Sequence, residues 1–228
     1  MATPIAHRSS TRRKGRLFLR GFTLLELMTV VVLVAVLAMV AVPVAIRAVR
    51  EGRSAKAAQQ VALLYQVARG RAIGRSVAVL VRYSDGVWEV REAVTEDATS
   101  ITPASNCSVP SHQWADATMN VLVDRFELVG QRPYQLVATE FSVVEVDDKG
   151  NAKTATLGPG ATADVCFSPG GTMLFRQAGG AFSVAPRTLA IRVMQQDSAL
   201  SLSQTGLART VFILPNGVAR VVAQAGVK

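Results

Sequence analysis

The pattern of apolar and polar positions changes twice along the chain, and each change marks a different kind of element. Residues 27–46 read LMTVVVLVAVLAMVAVPVAI, where only Thr29 and Pro43 fall outside the apolar set and none is charged. With Phe22 to Glu26 in front, the stretch is 25 residues. As a helix rising ~1.5 Å per residue it measures roughly 37 Å, enough to cross a hydrocarbon core of about 30 Å. After Ile46 the helical period continues over 47–75. Ala57, Val61, Leu64 and Ala68 recur on one face, with Gln59 and Gln66 opposite, as in an amphipathic helix laid on a core. Gly52 reads as a flexible point, and Gly70 and Gly74 bracket the end of the helix.

Beyond residue 75 the period becomes two. Val77 to Val81 and Val87 to Val90 flank Ser84-Asp85-Gly86, a hairpin signal. Further short strands are expected around 121–129, 141–146, 164–167, 172–176, 181–184, 189–194, 209–214 and 218–223. Turn residues separate them, among them Asp148-Lys149-Gly150-Asn151, Ser168-Pro169-Gly170-Gly171, Gly179-Gly180 and Pro215-Asn216-Gly217. Residues 95–120 and 147–163 read as loops. The fold class is therefore α+β, a long N-terminal hydrophobic helix packed on an antiparallel β-sheet domain. Its boundaries are a basic head over 1–21, a membrane helix over 22–46, its amphipathic continuation over 47–75, and a β-rich globular domain over 76–228.

Composition narrows the picture. Half of the 228 residues are hydrophobic and 18% are charged, which excludes a disordered chain. The net charge of +9 invites a nucleic-acid reading, but its distribution does not support one. Arg8, Arg12, Arg13, Lys14, Arg16 and Arg20 fall in the first 21 residues with no acid beside them. From residue 22 onward there are 19 Lys and Arg against 16 Asp and Glu. The positive-inside bias keeps such a head in the cytoplasm and sends the C-terminal part across the membrane. A secretory signal peptide fits poorly, since the apolar run exceeds a typical h-region and Glu26 sits near its start. A simple single-pass anchor fits as well.

Glu26 is the anomaly. A carboxylate in an apolar helix costs roughly 2.5–3.5 kcal/mol at the bilayer centre, and less near the interface. It can lie at the interface within reach of Arg20, it can protonate, or it can answer a charge brought by another copy of the chain. The setting, Arg20-Gly21-Phe22-Thr23-Leu24-Leu25-Glu26-Leu27, resembles the class III signal of type IV pilins and type II secretion pseudopilins. The resemblance implies cleavage by a prepilin peptidase after Gly21 and N-methylation of Phe22. It also implies a role in filament assembly for Phe22, Glu26 and the helix-kinking Pro43. Partners would be other pseudopilins or pilins of the same filament. The chain would sit in the inner membrane, with its C-terminal domain in the periplasm. Phe167-Ser168-Pro169-Gly170-Gly171 and Phe212-Ile213-Leu214-Pro215-Asn216-Gly217 further resemble the GspH/FimT group of minor subunits. That resemblance implies a structural subunit of a type II secretion pseudopilus, or alternatively of a type IV pilus.

Some FimT-like members bind DNA through a basic motif after the final Gly. Here Gly217-Val218-Ala219-Arg220 supplies one Arg, and residues 76–228 carry 12 Lys and Arg against 14 Asp and Glu. Phosphate binding needs several clustered cations, so nucleic acid is the weaker partner. No catalytic arrangement is expected. His7 lies in the leader and His112 in a polar loop, and no Ser/His/Asp set, CxxC, HExxH or phosphate-cradling glycine loop occurs. Asp147-Asp148-Lys149-Gly150-Asn151 lacks the spaced ligands of a calcium loop, so neither a metal nor a cofactor is expected. Cys107 and Cys166, both in the translocated part, either close a loop of about 60 residues in an oxidising compartment or stand as two buried thiols.

Overall fold

The computed structural model of the chain describes residues 23–97, 100–108, 114, 121–128, 137–146, 149, 152–158, 161–177, 180–184, 188–195 and 207–224. The apolar run and the segment after it form one helix, α1 (Leu24–Arg75), of 52 residues with Pro43 inside it. Thr23 starts it. Its Oγ1 accepts the Glu26 N–H at 3.2 Å and its carbonyl accepts the Leu27 N–H at 3.1 Å, an N-cap in the Thr-x-x-Glu spacing of a capping box. The helix ends before Ser76, which takes a left-handed φ of 55°. It runs unbroken through Gly52, the expected flexible point, and ends one residue after Gly74, close to the end that Gly70 and Gly74 were expected to bracket. One exposed glycine costs a helix only about 1 kcal/mol, and the packing of α1 along Ala57 to Ala72 outweighs it.

Among the described residues thirteen strands follow in chain order. They are β1 (Val79–Ser84), β2 (Val87–Glu92), β3 (Val94–Asp97), β4 (Ser100–Pro103), β5 (Val121–Glu127), β6 (Val137–Val146), β7 (Ala152–Thr156), β8 (Thr162–Phe167), β9 (Met173–Gln177), β10 (Ser183–Val184), β11 (Thr188–Gln195), β12 (Ala208–Ile213) and β13 (Ala219–Gln224). They pair as a six-stranded sheet in the order β10-β9-β8-β1-β2-β5, a five-stranded sheet β13-β12-β11-β6-β7, and the hairpin β3-β4. All pairs are antiparallel. The expected turn between β1 and β2 is present, with Asp85 at φ 45° and Gly86 at φ 78°, the two positive values of a type I′ turn.

Two of the expected loops contain strands. Residues 95–120 include most of β3 and all of β4, and 147–163 includes β7. Neither carries an apolar alternation in its sequence: β3 and β4 read VTED and SITP, and β7, at the edge of its sheet, reads AKTAT with Lys153 to Thr156 exposed. Without a period-two apolar signal such strands look like loops.

The chain divides into two compact units, Met1–Val44 and Ala45–Lys228. In the first, every described side chain is exposed. In the second, one core joins α1 residues Ala57 to Ala72 with both large sheets. Phe141 on β6 bridges the sheets: it stacks on Tyr83 of β1 at 5.3 Å and on Phe175 of β9 at 6.4 Å. The opposite face of the six-stranded sheet carries a smaller cluster of Ala78, Leu80, Ala93, Ala104, Cys107, Trp114 and Cys166.

Candidate functional site

The residues singled out by the sequence lie along α1. Gly21, Phe22 and Arg20 fall outside the described residues. Glu26 sits in the first turn, with its backbone N–H on Thr23 Oγ1 and its carbonyl accepting Thr29 Oγ1 at 2.9 Å. Its side chain is exposed and has no ion-pair partner among the described residues. A carboxylate at this third helical position also meets the positive end of the helix dipole. That local use of Glu26 was legible in Thr23-x-x-Glu26, though the sequence reading drew only on its charge. Pro43 lies mid-helix, where its missing N–H leaves the Met39 carbonyl without its helical partner.

From Thr23 to Val49 every residue is exposed, including Leu24, Leu27, Leu33, Leu37, Val40 and Ile46. The uncharged stretch from Leu27 to Ile46 presents an apolar surface of a length that marks contact with a membrane or with other protein. It belongs to the one helix among the described residues that is long and apolar enough to cross a bilayer.

Within the second unit, α1 is locked to the sheets. Ala57, Val61, Leu64 and Ala68 are buried as their spacing implies, and Gln66 Nε2 donates to the Ala219 carbonyl of β13 at 3.2 Å. Arg71 and Arg75 both pair with the buried Glu92 of β2, the latter at 3.0 Å. The two glycine motifs meet the helix at one place. Gly171 and Gly217 both have φ 76°, in turns closed by Gly171 N–H to Ser168 O at 2.8 Å and Gly217 N–H to Leu214 O at 2.7 Å. A Cβ on Gly217 would stand 2.8 Å from Arg69 Cδ and from Phe167 Cε1, and one on Gly171 would stand 3.2 Å from Ile73 Cδ1. Phe167-Ser168-Pro169-Gly170-Gly171 and Pro215-Asn216-Gly217 are thus the two halves of a clasp on α1.

The far face of the six-stranded sheet carries alternating charges in cross-strand register: Arg176, Asp164, Arg82, Glu89 and Arg125, one each from β9, β8, β1, β2 and β5. Asp164 accepts Arg82 Nε at 2.9 Å and Arg176 Nε at 2.7 Å, and the Arg176 guanidinium lies 4.4 Å from the centre of the Phe182 ring. The hydrogen bonds to Asp164 hold Arg82 even above the usual arginine range, against the burial that opposes its charge. Each charge has an opposite neighbour, which a sheet needs in order to bury such a row. Sequence alone could not align five strands. Beside the row, Cys107 and Cys166 form a disulfide with Cα atoms 6.0 Å apart, pinning the segment after β4 onto the sheet.

No group of three or more His, Cys, Asp and Glu that could hold a metal occurs among the described residues. His112 and Asp147-Asp148 lie outside them. Arg220 is exposed on β13, the edge strand, with Val221 and Val222 beside it.

These features define an α+β protein in which an exposed apolar N-terminal helix continues into the core of an antiparallel β domain. Among solved structures the chain is similar to the type IV minor pilin FimU of Pseudomonas aeruginosa (strain PAO1). The two share 12% sequence identity and a TM-score of 0.40 over 76% of this chain and 90% of that one. No family model and no curated protein matches the chain.

Proposed function

We propose that the chain is a non-enzymatic filament subunit of the pilin type, a minor pseudopilin of a type II protein secretion system. Its N-terminal helix would hold it in the inner membrane and then pack in the filament, with the β domain on the periplasmic side. The carrying observation is the sequence Gly21-Phe22-Thr23-Leu24-Leu25-Glu26 at the start of a helix that is apolar from Leu27 through Ile46 and exposed through Val49. Uncleaved, six leader cations forbid entry into an apolar core. Cleavage after Gly21 removes them and leaves one ammonium at Phe22, which can pair with Glu26 of a neighbouring copy. Each charge alone is costly in a low-dielectric core, so the pair sets the register of stacked helices.

Co-expression with a prepilin peptidase tests this reading. Mass spectrometry should find a chain shortened by 21 residues and methylated at Phe22, and a bulky residue in place of Gly21 should block the cut. A cut after residue 40, or none, would sink the assignment. Glu26→Val should insert normally, since it removes a charge from an apolar helix, yet enter filaments poorly. Loss of surface pili with secretion intact in a deletion strain would move the chain to a type IV pilus.

A further inference from the structure

Directly after the apolar run, Arg47, Arg50, Arg53 and Lys56 recur every third residue, with Glu51 the one acid among them. Three residues turn a helix by about 300°, so the four cations do not line one face but wind around roughly half of it. Arg47, Arg53 and Lys56 are exposed and make no hydrogen bond or ion pair among the described residues, while Arg50 is half-buried. The β domain first buries the helix at Ser54 and Ala57. The cations therefore precede or flank the docked part of α1, and the ion pairs that fasten it, Arg71 and Arg75 to Glu92, lie elsewhere. Beside them runs a shallow groove lined by Ala45, Ile46, Val49, Arg50 and Arg53, an apolar wall with guanidinium groups along it.

From Ile46 to Lys56 the axial distance is about 15 Å. A headgroup layer is about 5–7 Å deep on each side of the hydrocarbon, and the Debye length at physiological salt is ~8 Å. The whole group thus falls where lipid phosphates and their field are felt. Guanidinium matches a phosphate with two parallel N–H bonds, and the arginine stems can lie along acyl chains while the heads reach outward.

We infer that Arg47, Arg50, Arg53 and Lys56 form a collar that binds the phosphate groups of anionic phospholipids in the leaflet beneath the β domain. The inference rests on the reading that Leu24–Ile46 lies in a bilayer. The collar holds the subunit at a fixed depth and makes its retention depend on lipid charge and on salt.

The test uses the full chain in maltoside micelles with equimolar phosphatidylglycerol and phosphatidylcholine, scored by native mass spectrometry. Each lipid engages one or two cations, so phosphatidylglycerol should be retained roughly five- to thirtyfold over phosphatidylcholine. R47Q/R50Q/R53Q/K56Q should bring that ratio close to one. All four positions are outside the core, and an unchanged circular dichroism melt checks that the variant folds. A second variant with the six leader cations changed to Gln should keep most of the preference. Equal retention of both lipids by the unmodified chain overturns the collar, as does a preference that survives the collar substitutions and disappears with the leader ones. Saturable binding of inorganic phosphate that displaces phosphatidylglycerol would also overturn it, by making the group an ion site. Failure of the chain to insert into liposomes would defeat the bilayer reading itself, whereas insertion without lipid preference defeats only the collar.

Discussion

A methyl group on Gly217 would lie 2.8 Å from both Arg69 and Phe167, at a backbone φ of 76° that L side chains rarely adopt. Left-handed backbone costs a residue with a Cβ roughly 1–2 kcal/mol, and forcing atoms into a packed site adds about 1–3 kcal/mol. Gly217→Ala should therefore lower stability by roughly 2–5 kcal/mol, read as a lower urea midpoint at unchanged slope. Gly170→Ala, whose Cβ meets only Ser168 Oγ at 3.9 Å, should stay within about 0.5 kcal/mol. Tyr65 offers a second test at this scale. Its hydroxyl is buried with no hydrogen-bond partner among the described residues, and burial pushes the phenol far above its ordinary value of 10.0, with the nearby Trp88 indole only partly opposing. The unfolded phenol ionises near pH 10 while the folded one stays protonated. Below that pH the hydroxyl adds no pH dependence, and above it stability should fall by about 1.4 kcal/mol per pH unit. Tyr65→Phe should remove that alkaline slope, measured as the difference between the two chains' pH–stability curves from pH 9 to 12. Equal slopes would mean that Tyr65 ionises in the folded state too.

Among the elements, the disulfide is the most separable. Cys107 and Cys166 are 59 residues apart, and closing a loop of that length is worth ~4 kcal/mol in chain entropy. Replacing both by Ser should cost up to that amount in denaturant titrations, and a loss under about 1 kcal/mol would indicate that the unfolded chain is already constrained there. The cysteines were visible in the sequence, but their pairing was not, because spacing carries no geometry. Elements with strong periods were legible: α1 through Ala57, Val61, Leu64 and Ala68, and the β1–β2 hairpin through Asp85-Gly86. Strands β3, β4 and β7 were not, since their residues give no apolar alternation to read. Nor was the clasp on Arg69. Each glycine turn was recognisable by itself, but only the tertiary fold brings residues 171 and 217 to one point on the helix.

For the whole molecule, the division that matters is between the part of α1 that is bare and the part that is core. The compact unit begins at Ala45, and Ala57, Val61, Tyr65 and Ala68 are fully buried in it. A fragment covering 76–228 lacks these side chains, each buried methylene of which contributes about 0.8 kcal/mol, and exposes the inner faces of both sheets. It should fail to fold, while 45–228 should be soluble and melt cooperatively. Circular dichroism and proton–nitrogen correlation spectra of the two fragments decide this, and a well-dispersed spectrum from 76–228 would show that the helix is dispensable to the core. Tests of nucleic-acid contact by the β domain accordingly need the helix from Ala45 onward, which brings its own cations.

From Ala45 onward α1 runs without a linker into the core, so a pull on that stretch is a pull on the sheets. Traction along the helix axis loads the contacts from Ala57 to Ala72 in shear, so they resist together instead of peeling apart one at a time. Force applied at Ala45 thus reaches the sheets through a strut and not a tether.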